Sequence, residues 1–407
     1  MTIQEICAQF PALSCTVYGK PLVYFDNAAT AQRPSSVLQY QTRLASETNA
    51  NIHRAVHKLA VDATQAFEQA RDAVQAFIGA AHREEIIFTS GTTHAINLVA
   101  FSFGEAFVRE GDEILISEAE HHSNLVPWQM LCARKKATLK VIPVADDGHL
   151  CIDQLPSLIT DRTKLVAVAH ISNVLGLVNP VQDIVRIAHE HGVPVLIDGA
   201  QGIVHQQVNV QELDCDFYAF SGHKMYAASG TGVLYGKRKC LEQMPPYMGG
   251  GEMIQTVRFS GTTYAPLPGK FEAGTQNINA IPTLIPAIEF IKQLNDRELI
   301  KETDAVKEEL LQALSQHPRV RLYGVPHRTS EKVPVFSFTV DGAHHEDLAL
   351  ILDKMGIAVR SGQMCAEPLM DRYGVTGMLR ASLAPYNTRE EVAYFMASLD
   401  RAIRMLS

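Results

Sequence analysis

Phe217-Tyr-Ala-Phe-Ser-Gly-His-Lys224 is the stretch that decides the fold. Its first four residues are an apolar run that reads as a buried strand, and Lys224 stands just past the end of that strand. Ser221 and His223 flank the lysine, and no carboxylate does. An amine placed there keeps part of its desolvation penalty, which lowers its pKa toward neutrality and suits it to Schiff-base chemistry. On this stretch alone, a surface lysine at a strand end is an open alternative.

The neighbouring segments repeat the pattern of an apolar run that ends in polar groups. Val193-Pro-Val-Leu-Ile197 ends in Asp198-Gly-Ala-Gln201, and Lys164-Leu-Val-Ala-Val-Ala-His170 ends in Ile171-Ser-Asn173. Glu113-Ile-Leu-Ile-Ser117 leads to Glu120-His-His-Ser-Asn124, and Glu85-Ile-Ile-Phe-Thr89 runs through Ser90-Gly-Thr-Thr93 into a helix. Leu139–Val144 is a further strand. Strands buried on both faces read as such runs, and an open parallel sheet gathers its ligand groups outside the carboxyl ends of the strands. The fold class is therefore α/β with a mostly parallel central sheet, and these polar clusters are expected to meet at one site.

Each cluster suggests a chemistry. An acid behind four apolar neighbours is costly without a cationic partner, and the pyridinium nitrogen of pyridoxal phosphate (PLP) would supply one for Asp198. The amides and hydroxyls of Ser90–Thr93 suit a phosphate at a helix N-terminus, with a plain N-cap by Thr92 or Thr93 as the alternative. His121 is suited to lie flat on a cofactor ring or to be satisfied by a backbone carbonyl. Ser229-Gly-Thr-Gly-Val-Leu-Tyr-Gly236 departs from the dinucleotide fingerprint in spacing and leads into a strand, which disfavours a Rossmann nucleotide site.

Downstream, Gly249-Gly-Gly251 to Pro268 reads as an irregular Gly- and Thr-rich excursion. A smaller α+β unit follows, with strands at Val333–Val340, Ile357–Arg360 and Met378–Leu383, a helix from His345 to Met355, and a Thr388/Glu391 capping box before the last helix. Cys365 falls on a loop past a strand and a glycine, although free cysteines are commonly small core residues. Arg380, in a strand pattern, reads as bidentate capture of a carboxylate or as a structural ion pair. His53 and His57 stand four apart, as helical metal ligands do, but no third ligand is near and no metal site is expected.

At 407 residues and 46% hydrophobic, the chain has enough material for a large core and two or three domains. Its net charge of −8 and lack of a basic run disfavour nucleic-acid and anionic-membrane partners. There is no apolar stretch of membrane-spanning length and no basic, apolar leader at the start, so a cytoplasmic location is expected. Seven scattered cysteines without a Cys-x-x-Cys pair suit reduced thiols.

Taken together, Ser90–Thr93, Glu120-His-His122, Asp198–Gln201, Ser221-Gly-His-Lys224, Phe271-Glu-Ala-Gly-Thr275, Arg360-Ser-Gly-Gln-Met-Cys365 and Arg380–Asn387 closely resemble the SufS/CsdA-type (group II) cysteine desulfurases of the class V aminotransferase family. The resemblance runs from about residue 8 to 405. It implies the PLP-dependent transferase fold type I. An N-terminal segment (1–20) would pack on the small domain; a large PLP-binding domain (21–285) and a small C-terminal domain (286–407) carrying the cysteine loop would follow. It implies that Lys224 holds the cofactor aldehyde and moves the substrate Cα proton. Asp198 would pair with the pyridine nitrogen, Gln201 with the ring hydroxyl, and His121 would stack on the ring as acid/base. Thr92, Thr93, Ser221 and His223 would hold the phosphate, with Thr275 reaching in from the second subunit of a homodimer. Asn173, Arg380 and Ala28 would bind L-cysteine, and Cys365 would take its sulfur as a persulfide, leaving L-alanine. A SufE-, CsdE- or SufU-like acceptor would then receive the sulfur for iron-sulfur assembly or another sulfur-transfer route. A selenocysteine lyase acting on L-selenocysteine is the alternative within the same chemistry. The sequence departs from the family's pattern at Ala227-Ala-Ser229, His94 and Met364.

Overall fold

The computed structural model describes residues 2–406 and is built on two sheets. The larger has seven strands: β1 (Ile86–Thr89), β2 (Glu113–Ser117), β3 (Thr138–Ile142), β4 (Thr163–Ala169), β5 (Val195–Asp198), β6 (Phe217–Ser221) and β7 (Gly232–Gly236). Their order across the sheet is β1-β7-β6-β5-β4-β2-β3. β2 to β6 pair in parallel, and β7 runs antiparallel to both its neighbours. The parallel sheet expected from the sequence is thus present, with one reversed strand supplied by the Gly-rich segment 229–236.

Alternation along these strands feeds two cores. Ile87, Ile114, Ile116, Leu165, Leu196, Phe217 and Leu234 face α2 (Thr92–Phe107) and α3 (Val126–Lys135). Ile86, Leu115, Val166, Val195, Tyr218 and Val233 belong to the opposite core with α1 (Lys58–Ile78) and α4 (Val181–Glu190). Every residue of β1, β2, β5, β6 and β7 is buried, as a sheet covered on both faces requires.

Two helices, α5 (Leu284–Gln293) and α6 (Arg297–Gln316), lead to the second sheet of β8 (Val320–Tyr323), β9 (Val335–Val340), β10 (Arg360–Gly362) and β11 (Met378–Ser382), ordered β8-β9-β11-β10. The strand expected over Ile357–Arg360 is split. Ile357–Ala358 pairs in parallel with Val23–Tyr24, and only Arg360–Gly362 joins the four-stranded sheet. Two helices cover this unit: α7 (His345–Lys354) and α8 (Arg389–Leu406), the latter opened by the expected box, Thr388 N to Glu391 Oε2 (3.0 Å) and Glu391 N to Thr388 Oγ1 (3.2 Å). Phe10 packs on Tyr226, Phe290 and Tyr386, tying the N-terminal segment to both units.

Two local readings are corrected. The segment before Pro268 is not irregular throughout, because Ile254–Arg258 and Gly261–Tyr264 form an exposed hairpin rich in β-branched residues, with Val257 and Phe259 in solvent. His53 and His57 do not share a helical face. His57 is the N-cap of α1, and His53 lies before it with φ 71° and binds Glu68 at 3.1 Å.

The acid of Phe271-Glu-Ala-Gly-Thr275 has a structural use. Glu272 is buried and takes a two-pronged ion pair from Arg71 (2.8 and 2.9 Å), while Phe88 N donates to it at 2.7 Å. The loop is thereby fixed to β1 and α1. Removing Glu272 leaves buried Arg71 with only half-buried Glu68 as counter-charge (3.1 Å) and Phe88 N without its acceptor, so Glu272→Ala is expected to cost about 3 kcal/mol, read as a lowered urea midpoint. A midpoint equal to wild type would show that the pair is dispensable.

Candidate active site

The parallel strands β2, β4, β5 and β6, and β1 beyond the reversed β7, all end at one edge of the sheet, and there the polar clusters meet. They line a cleft of about 570 Å³, with the 361–365 loop and Arg380 of the second unit closing its other side. Of the residues singled out from sequence, Lys224, Cys365, His121, Asp198, Gln201, Thr92, Thr93, Ser221, His223, Arg380, Asn173 and Ala28 all lie on this cleft. Thr275 does not line it and is exposed on the loop beyond Phe271.

Lys224 ends a short turn (Gly222–Lys224) directly after β6. Gly222 has to be glycine, because a Cβ there would stand 2.1 Å from Thr231 Oγ1. Burial lowers the Lys224 amine's pKa; Asp198 works against that shift, and Arg380 adds to it. The direction is the one expected from sequence. Asp198 is buried, and among the described residues its carboxylate accepts one hydrogen bond, from Ala200 N at 2.9 Å. Burial raises its pKa against that bond and the lysine. Such a carboxyl lacks a cationic hydrogen-bond partner, and the pyridinium of PLP would be one. Gln201 donates to Ala28 O at 2.8 Å.

His121 caps the turn His122–Asn124, its Nδ1 accepting from Ser123 N at 3.0 Å. Burial first, then Lys224, His122 and Arg380, bring its pKa to about 4, so the ring is neutral with its proton on Nε2. Beneath it lies a group that sequence reasoning passed over. Glu120 is fully buried and accepts from Ser117 Oγ (2.5 Å), Asn124 Nδ2 (2.6 Å) and Ala169 N (3.0 Å), while Trp128 Nε1 holds Asn124 at 2.9 Å. Burial lifts this carboxyl to about 7. It locks the His121 turn to β2 and β4.

The alternative of a threonine N-cap does not hold. α2 starts from Gly91 without a side-chain cap, and Thr92 is its first residue. Thr92 Oγ1 pairs with Ser221 Oγ (2.7 Å), Thr93 Oγ1 pairs with Ser123 Oγ (2.7 Å), and His223 Nδ1 pairs with Thr30 Oγ1 (3.2 Å). Ser221 Oγ also accepts from Thr92 N at 2.8 Å, and hydroxyls around a helix N-terminus are a donor set for phosphate. Ser123 is an addition, legible only as a neighbour of His121. The departures from pattern are accommodated nearby. His94 accepts from Ser90 N at 3.1 Å, and Ala228 N donates to Thr283 Oγ1 at 3.0 Å.

On the far wall, Arg380 is buried in β11. Nη1 donates to Asn173 O at 2.9 Å and Nη2 reaches Asp26 at 3.3 Å, while Nε has no hydrogen-bond partner among the described residues. Asp26 also binds Arg360 at 2.7 Å, so one acid serves two guanidinium groups. Asn173 Nδ2 donates to Met364 O at 2.9 Å, and His122 N donates to Cys365 O at 2.7 Å. Met364 and Cys365 both sit in the left-handed region, at φ 54° and 55°. Each side chain there costs about 1–2 kcal/mol, which the two anchoring bonds offset. The strained, pinned turn leaves Cys365 exposed at the mouth of the cleft.

The aminotransferase class V family model matches residues 23–395. A cysteine desulfurase of Pectobacterium carotovorum is 47% identical over 405 residues, covering 99% of this chain and 98% of its own. The chain belongs to the cysteine desulfurases of the class V aminotransferase family. Among solved structures, the Escherichia coli cysteine desulfurase CsdA superposes with a TM-score of 0.91 at 38% identity over the full length of both chains. An apo cysteine desulfurase of Thermococcus onnurineus gives 0.90 at 36% identity, covering 98% of this chain and 99% of its own. The family is PLP-dependent, and the cleft fits that cofactor through its unpaired acid, its lysine and its hydroxyl-lined helix N-terminus.

Proposed function

We propose that this chain is a PLP-dependent cysteine desulfurase that moves the sulfur of L-cysteine onto Cys365 and releases L-alanine. The observation that carries this reading is the meeting of Lys224, Asp198, His121, Arg380 and Cys365 on one cleft. Lys224, His121, Asp198 and Gln201 would hold the cofactor's aldehyde, ring face, ring nitrogen and ring hydroxyl, and Thr92, Thr93, Ser221 and His223 its phosphate. When bound, PLP takes up the electron pair left at the substrate Cα.

The chain's own residues do the rest. Arg380 orients the substrate carboxylate, with Asn173 and Ala28 lining the same pocket. Lys224 Nζ, whose pKa burial lowers, takes the Cα proton. Neutral His121 has its Nε2–H as a hydrogen-bond donor on the cleft, and the proton that Lys224 took is the one available to carbon. The Cys365 thiolate then attacks the substrate sulfur; an S–S bond forms, the Cβ–S bond breaks, and the electron pair stays on carbon to be protonated as alanine.

The working unit is a homodimer in which Thr275 of each chain serves the other's phosphate site, a role suited to its exposure outside its own cleft. A SufE-, CsdE- or SufU-like protein with its own thiol removes the sulfur from Cys365, whose short, pinned loop gives it little reach. Among the described residues no helix is long and apolar enough to cross a membrane, and we place the enzyme in the cytoplasm.

Incubation with L-cysteine and a reductant is expected to yield alanine and sulfide in equal amounts; alanine without sulfide would refute the reading. In Arg380→Lys the point charge remains and the planar donor set is lost, so KM for L-cysteine should rise roughly ten- to a hundredfold with a smaller change in kcat. An unchanged KM would remove Arg380 from carboxylate binding.

A further inference from the structure

Away from the cleft, two loops from different sheets meet around Asp147, His149 and His327. The first two follow β3, and His327 lies between β8 and β9. One ligand atom from each falls within 4.8 Å of the others. His149 Nδ1 is 3.3 Å from Asp147 Oδ1, and His327 Nε2 is 2.7 Å from Asp147 Oδ2. Ligands around a tetrahedral zinc ion with bonds of about 2.0–2.1 Å stand roughly 3.3 Å apart. We propose that Asp147, His149 and His327 form a binding site for one Zn2+-class divalent cation that ties the two loops together.

His149 gives the main support. Both its ring nitrogens are shielded from solvent, yet neither makes a hydrogen bond among the described residues. Nδ1 faces Asp147, and Nε2 lies 3.4 Å from Glu331 Oε2. Glu331 is itself held by His327 N (3.0 Å) and Arg328 N (3.1 Å). With a metal on Nδ1, the Nε2 proton points at this anchored acid, which is the outer carboxylate that fixes the tautomer of a metal-bound histidine. Two imidazoles with one carboxylate in the inner set suit zinc better than calcium or magnesium, which prefer all-oxygen ligands.

The His149 and His327 rings are stacked, with centroids 4.1 Å apart and 15° between planes. Two parallel ring planes cannot both contain one ion, so metal entry requires the exposed His327 ring to tilt off the stack while His149 stays in place. The ion replaces the proton that now bridges His327 Nε2 and Asp147 Oδ2. Its effect would fall on the seam between the sheets, where Lys332 Nζ already binds Leu175 O at 2.5 Å and Gly324 O at 2.9 Å.

The test uses PLP-loaded protein with accessible thiols alkylated, so that Cys365 cannot chelate. It is equilibrated with ZnCl2 and desalted, and metal is counted by mass spectrometry alongside thermal melting. Wild type is expected to keep about one zinc per chain and to melt higher with zinc than without. His327→Ala, at an exposed position, should bind at least tenfold more weakly and show no zinc-dependent rise; Glu331→Gln should weaken binding roughly tenfold. Equal zinc in wild type and His327→Ala, or none in wild type, would overturn the site and leave the cluster a hydrogen-bonded contact between loops.

Discussion

PLP-loaded Lys224→Ala is expected to lose L-cysteine desulfuration by on the order of a thousandfold or more, the scale of a removed general base. The effect is large because no neighbour can substitute. His121, on the same cleft, has its Nδ1 spent on Ser123 N and is drawn to a pKa of about 4 by burial and the surrounding cations. It is too weak a base to take a carbon-bound proton at neutral pH. His223 is in the same condition, at about 4 for the same first cause, with Nδ1 on Thr30. Among the described residues, Lys224 alone combines a position on the cleft with an amine whose pKa burial lowers. Alanine release measures the loss, and borohydride separates the lysine's two roles. Reduction should fix the cofactor mass to wild type and not to the variant. If the variant kept a tenth of wild-type activity, Lys224 would not be the base.

The second large effect is expected at Cys365. Cys365→Ala should lower sulfide release by on the order of a thousandfold while leaving cofactor binding and melting temperature near wild type. The thiol is exposed, and the backbone bonds that hold its turn, from His122 N to Cys365 O and from Asn173 Nδ2 to Met364 O, do not involve the side chain. Cys365→Ser should be equally inactive, because a hydroxyl has no useful anion near neutral pH. The same alanine variant separates the desulfurase from a selenocysteine lyase. Desulfuration that survives in Cys365→Ala would place the nucleophile elsewhere, and selenide release that outlasts lost desulfuration would point to the lyase chemistry.

Much of this was legible in the sequence because strands covered on both faces are written as apolar runs, and the residues that follow each run are delivered to one edge of the sheet. Asp198, Ser221 to Lys224 and His121 could be placed in that way before any coordinates. What was not legible depends on long-range geometry. The charge of Glu120 gave no sign that it would be buried, since only the fold brings Ala169 onto the carboxylate that the near neighbours Ser117 and Asn124 also hold. The left-handed pair Met364 and Cys365 carries no glycine signal, because tertiary bonds impose that conformation. The hairpin 254–264 was obscured by glycines around it, and the split of Ile357–Arg360 between two partner strands has no local signature. Sequence spacing drew attention to His53 and His57, while the histidines that come together, His149 and His327, are far apart in the chain.

The central claim is that sulfur from L-cysteine comes to rest on Cys365. The most direct measurement is the intact mass of PLP-loaded protein after brief exposure to L-cysteine without reductant, with Cys365→Ala treated in parallel. The expected result is a gain of one sulfur atom on wild type, mapped to Cys365, and none on the variant. A wild-type protein that releases alanine but carries no added sulfur at Cys365, or a variant that gains as much as wild type, would contradict the account.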